Sequence, residues 1–250
     1  KGMGQMNMRN FREIAEKAGD TAVFTFGRFN PPTIGHEKLV NAIAAQQKKN
    51  SGSKMYVYPS HSNDPKKNPL NHSKKIAYMR KMFKKYSKNI ISSKARNVFE
   101  VATELHNKGH RAIVMVVGSD RVGEFDRLLN EYNGVEGRHG FYGFDNIEVV
   151  SAGERDPDAE GVEGMSASKM RAAAEKGDFD SFKTGIPRTL SDADKKKMYL
   201  DVRKGMGMRE ERDMGDMNNY EEVRDAYLTG KIWNVGEIVE ANGLRGEVVR

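Results

Sequence analysis

Two groups of residues in this chain have the types and spacing to bind phosphate. The first is Gly27-Arg28-Phe29-Asn30-Pro31-Pro32-Thr33-Ile34-Gly35-His36, entered from the apolar run Ala22-Val23-Phe24-Thr25-Phe26 and left through the amphipathic Glu37-Lys38-Leu39-Val40-Asn41-Ala42-Ile43-Ala44. A strand that runs through a Gly/Pro turn into a helix leaves unpaired backbone N–H groups at the helix start, where the dipole also favours an anion. Gly27, Arg28, Phe29, Asn30 and Gly35 would line that anion site with backbone, while Thr33 and His36 add a hydroxyl and an imidazole. The second group, Met165-Ser166-Ala167-Ser168-Lys169-Met170-Arg171, sets two hydroxyls at a helix start and a guanidinium about one turn on, a second anion site. Donors arranged around phosphates can catalyse transfer by positioning and charge neutralisation, with little covalent help from protein.

Further candidates are less specific. Lys66 and Lys67 lie in Pro59-Ser60-His61-Ser62-Asn63-Asp64-Pro65-Lys66-Lys67-Asn68-Pro69, a loop that could carry them to a substrate, although a solvated lysine is the commoner case. Asp120 follows a strand end, where its carboxylate could meet a ribose or base or simply cap its own helix. His61, His72, His106, His110 and His139 lack ligand spacing, and there is no Cys, so no metal ligand set is expected.

The elements that must position these groups alternate between strands and helices. Strands are expected at Thr21 to Phe26, Met55 to Tyr58, Ala112 to Val117 and Ile147 to Val150, with a possible one at Asn89 to Ile91. Helices are expected at Gly35 to Gln47, Ser73 to Tyr86, Asn97 to Asn107, from Val122, and from Ser166. Ala112-Ile113-Val114-Met115-Val116-Val117 has the continuous apolar character of a parallel strand covered on both faces. The fold class is therefore α/β, a Rossmann-like parallel sheet with helices on both faces. In such a sheet ligands bind beyond the carboxyl ends of the strands, where the loops after Phe26, Tyr58, Val117 and Val150 emerge.

Three regions follow from composition. Residues 1–20 form an N-terminal extension with a short helix at Asn10 to Glu16, and the start at Lys1 rather than Met suggests a trimmed chain. Residues 21–190 form the α/β domain. Residues 191–250 form a C-terminal extension with a helix at Ser191 to Val202, a linker, a short helix at Tyr220 to Leu228, and a hairpin turning at Asn242-Gly243. An acidic loop covers Gly153 to Gly164.

The chain of 250 residues carries a net charge of +7, unevenly placed. Residues 48–96 hold 14 Lys and Arg against one acid, Asp64, a field suited to phosphates of a nucleotide or a nucleic acid. Few aromatics are interleaved there, so nucleic acid is possible without being favoured. No apolar run approaches the roughly 18 residues of a membrane span, and no signal-peptide pattern opens the chain, so a cytoplasmic protein without a membrane partner is expected.

Thr33-Ile34-Gly35-His36, with Gly27-Arg28-Phe29-Asn30-Pro31 before it, resembles the (His/Thr)-x-Gly-His signature of the nucleotidylyltransferase superfamily. Met165 to Arg171 resembles its Ile-Ser-Ser-Thr-x-x-Arg partner, with Met165, Ala167 and Ser168 as departures. The likeness covers about residues 21 to 188 and is nearest to the nucleotidyltransferases of tailed phages, themselves similar to nicotinamide mononucleotide adenylyltransferases. It implies transfer of a nucleotidyl group, ATP being favoured over CTP as donor, to a small phosphorylated acceptor such as nicotinamide mononucleotide, with release of pyrophosphate. By that likeness His36, Thr33 and Arg171 are catalytic, Ser166 and Ser168 hold phosphates with Arg171, and Mg²⁺ is bound through the nucleotide phosphates. A phage origin would place the protein in host cytoplasm; the oligomeric state stays open. A fragment related to class I aminoacyl-tRNA synthetases shares both motifs but would need an anticodon-binding domain. A binding or assembly protein on the same fold, with weak catalysis or none, is the alternative outside enzymology.

Overall fold

A computed structural model describes residues 20–153 and 165–208, together with positions 224 and 229 and the strand residues 238–241 and 244–247. Four parallel strands, β1 (Thr21–Gly27), β2 (Lys54–Pro59), β3 (Ala112–Val117) and β4 (Asn146–Ser151), form one sheet in the order β2-β1-β3-β4. Parallel neighbours need crossovers, and helices supply them: α1 (Ile34–Lys49), α2 (His72–Met82), α3 (Val98–Asn107) and α4 (Val122–Glu131). After β4 come α5 (Ala167–Glu175), α6 (Phe179–Thr184) and α7 (Asp192–Gly205). The Rossmann-like α/β architecture expected from the alternation is present.

The period of two along each strand divides the core between the two faces. Val114 and Val116 of β3 join one cluster with Val40 and Ile43 of α1, Met79 of α2, Met170 of α5 and Phe182 of α6. Ile113, Met115 and Val117 join another with Val101 and Leu105 of α3 and Leu129 of α4. That is why β3 reads as an unbroken apolar run. Helix starts follow local chemistry: Asn71, Asn97, Ser166, Asp178 and Ser191 each accept a backbone N–H from the first turn of the helix they precede.

Two expectations change in detail. The helix expected to Tyr86 ends at Met82, because Phe83 leaves helical dihedrals and Lys84–Asn89 continues as a 3₁₀ helix. Asn89 to Ile91 is not a strand but a single parallel bridge from Ile90 to Val57, after which Ser93 turns to the Glu104 carboxylate of α3. The packed unit runs to Met208, past the change of composition at 190. Met198, Tyr199 and Val202 of α7 are buried in the first cluster, and Asp201 accepts from Lys74 Nζ and Tyr78 Oη of α2, each at 2.6 Å.

In the separate unit Arg209–Arg250, β5 (Ile238–Ala241) and β6 (Leu244–Glu247) pair antiparallel, Ile238 opposite Glu247. The expected turn at Asn242-Gly243, the helix at 10–16, that at 220–228 apart from position 224, residues 154–164 of the acidic loop and most of the linker lie outside the described residues. Among the described residues no helix is long and apolar enough to cross a membrane.

The loop after β2 rests on a buried cation. Lys75 of α2 is fully buried and its Nζ donates to the carbonyls of Ser60 at 2.5 Å and Ser62 at 3.2 Å. Burial pushes its pKa down to about 8. An unfolded lysine keeps its proton to about pH 10.4, so between these values the unfolded state binds more protons and stability rises with pH. Relative to a Lys75→Met variant, the wild type should gain on the order of 2 kcal/mol between pH 8 and 10 in urea unfolding. Parallel pH profiles for the two proteins would contradict this.

Candidate active site

The strand order sends β2 and β3 to opposite sides of β1, so the loops leaving β1 and β3 diverge and open a crevice at the carboxyl edge of the sheet. The loop from Gly27 to Thr33 forms one wall. Phe29 sits there with φ of 46°, a left-handed conformation unusual for a bulky residue, and its ring is buried. A Cβ on Gly27 would lie 3.0 Å from that ring, so glycine leaves room for it. The ring packs on the His36 imidazole with centroids 4.9 Å apart.

His36 is aimed by its own helix start. Thr33 is the N-cap of α1; its backbone N–H donates to His36 Nδ1 at 2.9 Å, and its Oγ1 lies 3.1 Å from the same nitrogen. Because Nδ1 accepts, the proton of the neutral ring is on Nε2, which makes Nε2 the donor. Thr33 itself is 2% exposed, with its polar atoms turned on His36 rather than outward. Gly35 is exposed, and a Cβ there would meet Thr33 Oγ1 only at an ordinary 3.5 Å, so packing does not demand glycine. The Ile34 N–H donates to the Gly185 carbonyl just beyond α6 at 2.9 Å.

Asn30 ties three segments together. Its buried side chain donates from Nδ2 to the Leu70 carbonyl at 2.8 Å and accepts the Leu70 N–H on Oδ1 at 2.9 Å, which locks the β1 loop to the segment before α2. Its own carbonyl accepts from Arg171 Nη1 at 2.7 Å, across 141 residues of sequence. Arg171 Nη2 donates to Ser168 Oγ at 3.2 Å, and Ser166 Oγ caps α5 through the Lys169 N–H at 3.2 Å. The two motifs are thus joined directly. Burial, with Arg28 nearby, pulls the Arg171 guanidinium below its ordinary value, while Asp64 opposes that shift. Arg28 is exposed.

The second wall is the loop after β2, tied to the first by the Ser60 N–H on the Gly27 carbonyl at 2.7 Å. Asp64 Oδ1 accepts the amides of Lys67 at 2.7 Å and Lys66 at 3.0 Å, and Oδ2 accepts from Asn68 Nδ2 at 2.5 Å. The Lys67 amide first, then the Asn68 side chain, holds the Asp64 carboxyl below its usual range. The Lys66 and Lys67 side chains are exposed. His61 and His72 stack with centroids 3.8 Å apart, and His61 Nε2 reaches the Ser93 carbonyl at 2.7 Å, a structural use of both. Asp120 is exposed in the 3₁₀ turn Ser119–Arg121, does not cap α4, and shares no hydrogen bond or ion pair with the groups above among the described residues.

Sequence reasoning gave Asn30 a ligand-side part and missed what it holds, along with Asp64 and Gly185. Asp64 had a readable signal, a carboxylate two and three residues before amides in a Pro-containing turn; Gly185 had none. Charge neutralisation by a guanidinium, hydroxyls and an imidazole donor around one crevice fits transfer at phosphorus.

Residues 24–173 match the family model described as cytidylyltransferase-like. No curated protein matches the chain. The match spans both the first loop and α5 as far as Ala173.

The Asn30 clamp gives a direct test of the site's construction. Asn30→Ala leaves a buried N–H and C=O of Leu70 without partners, so unfolding free energy should fall by about 2–4 kcal/mol in urea titration. A loss below about 0.5 kcal/mol would show that the clamp is dispensable.

Proposed function

We propose, from the premise that the chain belongs to the cytidylyltransferase-like family and so to a nucleotidyltransferase class, that it transfers an adenylyl group from ATP to a small phosphorylated acceptor. Nicotinamide mononucleotide is the first acceptor to test. An acceptor phosphate oxygen attacks the α-phosphorus; the bond from that phosphorus to the β-bridging oxygen breaks, and pyrophosphate leaves with the electron pair. The attacking oxygen is already anionic, so no protein base is required.

The observation that carries this reading is the contact of Arg171 Nη1 with the Asn30 carbonyl at 2.7 Å, which brings the second motif onto the first. His36 Nε2 donates to the oxygens that gain charge in the transition state, and Thr33 fixes the tautomer that makes this possible. Arg171, Ser166 and Ser168 hold the departing β- and γ-phosphates, with Arg28 above them. Lys66 and Lys67 approach from the β2 loop, and Asp120 from the β3 side takes a ribose or base. Mg²⁺ would be carried on the nucleotide phosphates with few direct protein ligands. When bound, the ion neutralises phosphate charge.

The test is pyrophosphate release with ATP or CTP and a panel of phosphorylated acceptors. His36→Ala should lower the rate about 10²- to 10³-fold, the loss typical of one preorganised donor, with its unfolding curve preserved. An unchanged rate removes His36 from the chemistry. Turnover with CTP but not ATP would replace the adenylyl reading by a cytidylyl one. Absence of turnover together with nucleotide-dependent stabilisation would favour a binding protein on this fold.

A further inference from the structure

The net charge of the described domain comes from one stretch of its chain. Residues 20–47, 97–153 and 165–208 carry 17 Lys and Arg against 17 Asp and Glu, whereas residues 48–96 carry 14 against one. Within that stretch, Lys74 and Lys81 pair with Asp201 and Asp194 of α7, Lys75 is buried, and Arg80 donates to the Ile90 carbonyl. Lys48, Lys49, Lys54, Lys84, Lys85, Lys88, Lys94 and Arg96 are exposed and form no ion pair among the described residues. Elsewhere some basic residues are paired, Arg111 with Asp145, Arg121 with Glu124 and Arg127 with Glu131, and the others lie in segments whose 17 Asp and Glu balance them.

The same eight residues follow β2, an outer strand of the sheet. Lys54 begins β2 and Lys48 and Lys49 end α1, which packs on it. The 3₁₀ helix Lys84–Asn89 lies alongside, with Asn89 Nδ2 on the Met55 carbonyl at 3.0 Å, and Ile91 N–H reaches the Val57 carbonyl at 2.9 Å before Lys94 and Arg96. Six residues of strand make an edge about 20 Å long. That length matches about six phosphates along one strand of a duplex, and a single triphosphate cannot span it.

We propose that the β2 edge is a binding surface for the phosphodiester backbone of a nucleic acid. The exposed large hydrophobic residues Tyr132, Val135 and Phe141 follow α4 instead, so the strip lacks the apolar anchor that a protein partner or a membrane surface would use. Tyr86 is half-buried with its hydroxyl on Asn41 Oδ1 at 2.9 Å, so it offers no open stacking platform, and recognition is of backbone rather than bases. Lys84, Lys85 and Lys88 belong to none of the groups placed in the crevice, and the surface does not depend on which nucleotide reacts there.

Fluorescence anisotropy with labelled 20-nucleotide single-stranded DNA, the same RNA sequence and duplex DNA tests it. Binding at 50 mM salt should weaken on the order of 10³-fold by 200 mM, the dependence of about six phosphate contacts. Lys84→Glu/Lys85→Glu/Lys88→Glu should lose at least about tenfold in affinity and flatten the slope by about three. The charge-matched Arg127→Glu/Arg138→Glu/Lys176→Glu should not, and both triple variants should keep nucleotidyl transfer to a small acceptor. The three arms distinguish RNA from single-stranded and duplex DNA as the source of the phosphodiester. No binding at 50 mM salt, equal losses in the two triple variants, or binding to anionic vesicles but to none of the oligonucleotides would overturn the proposal. Absence of transfer by the wild-type protein, with oligonucleotide binding intact, would instead count against the function proposed for the crevice.

Discussion

Asn30 is the residue on which the crevice depends. Its side-chain amide is matched to both polar groups of the Leu70 backbone, and its carbonyl receives Arg171, so one position joins β1, the segment before α2, and α5. All of these bonds are buried or half-buried, where a group left without a partner loses its solvation with no return. The segment ahead of Asn30 is the least relaxed in the loop: Phe29 is left-handed, which costs about 1–2 kcal/mol for a residue with a Cβ. Burial of its ring against His36 and the room left by Gly27 offset that cost. The imidazole is therefore fixed on two sides, by the Phe29 face and by the Thr33 amide.

Electrostatics give the crevice a direction. Arg28 is close enough to make the Arg171 charge less favourable, and among the described residues the carboxylate that acts on Arg171 is Asp64, whose oxygens are engaged by the Lys66 and Lys67 amides and the Asn68 side chain. Like charges held together by a folded scaffold are preorganised for an anion, because the scaffold need not rearrange to meet one. Asp64 shapes the loop that carries two lysines, its oxygens engaged by that loop's own donors.

Most of the fold was legible because its determinants are local. The run Ala112 to Val117 reads as a strand covered on both faces, and the helix from Asn97 as one with Val98, Val101, Ala102 and Leu105 inward, all four of them buried. Local signals fail where tertiary contacts decide. Ile90 has strand character but meets β2 at one bridge, because Ser93 is drawn away by Glu104. Helix α7 reads as an appendage by composition, yet Asp201 and Tyr199 bind it into the domain through α2 and the first core. For the site, residue types and positions were visible; partners were not. Nothing in the sequence joins Asn30 to Leu70 or Arg171, since those pairings exist only after the sheet order has brought three distant segments to one edge.

The division of labour inside Gly27 to His36 follows from that geometry. A ten-residue signature suggests ten contacts with a ligand, but Gly27, Phe29, Asn30 and Thr33 are spent on one another and on neighbouring segments. Arg28 and Gly35 are exposed, and His36 is half-buried at the helix start. The reason is energetic: a neutral imidazole has two tautomers and free rotation about its side-chain bonds, and a donor that must be oriented at the moment of binding loses part of its interaction to ordering. Fixing one nitrogen on a backbone amide and the ring on a buried aromatic removes that loss beforehand. Residues around the imidazole are constrained as tightly as the imidazole itself.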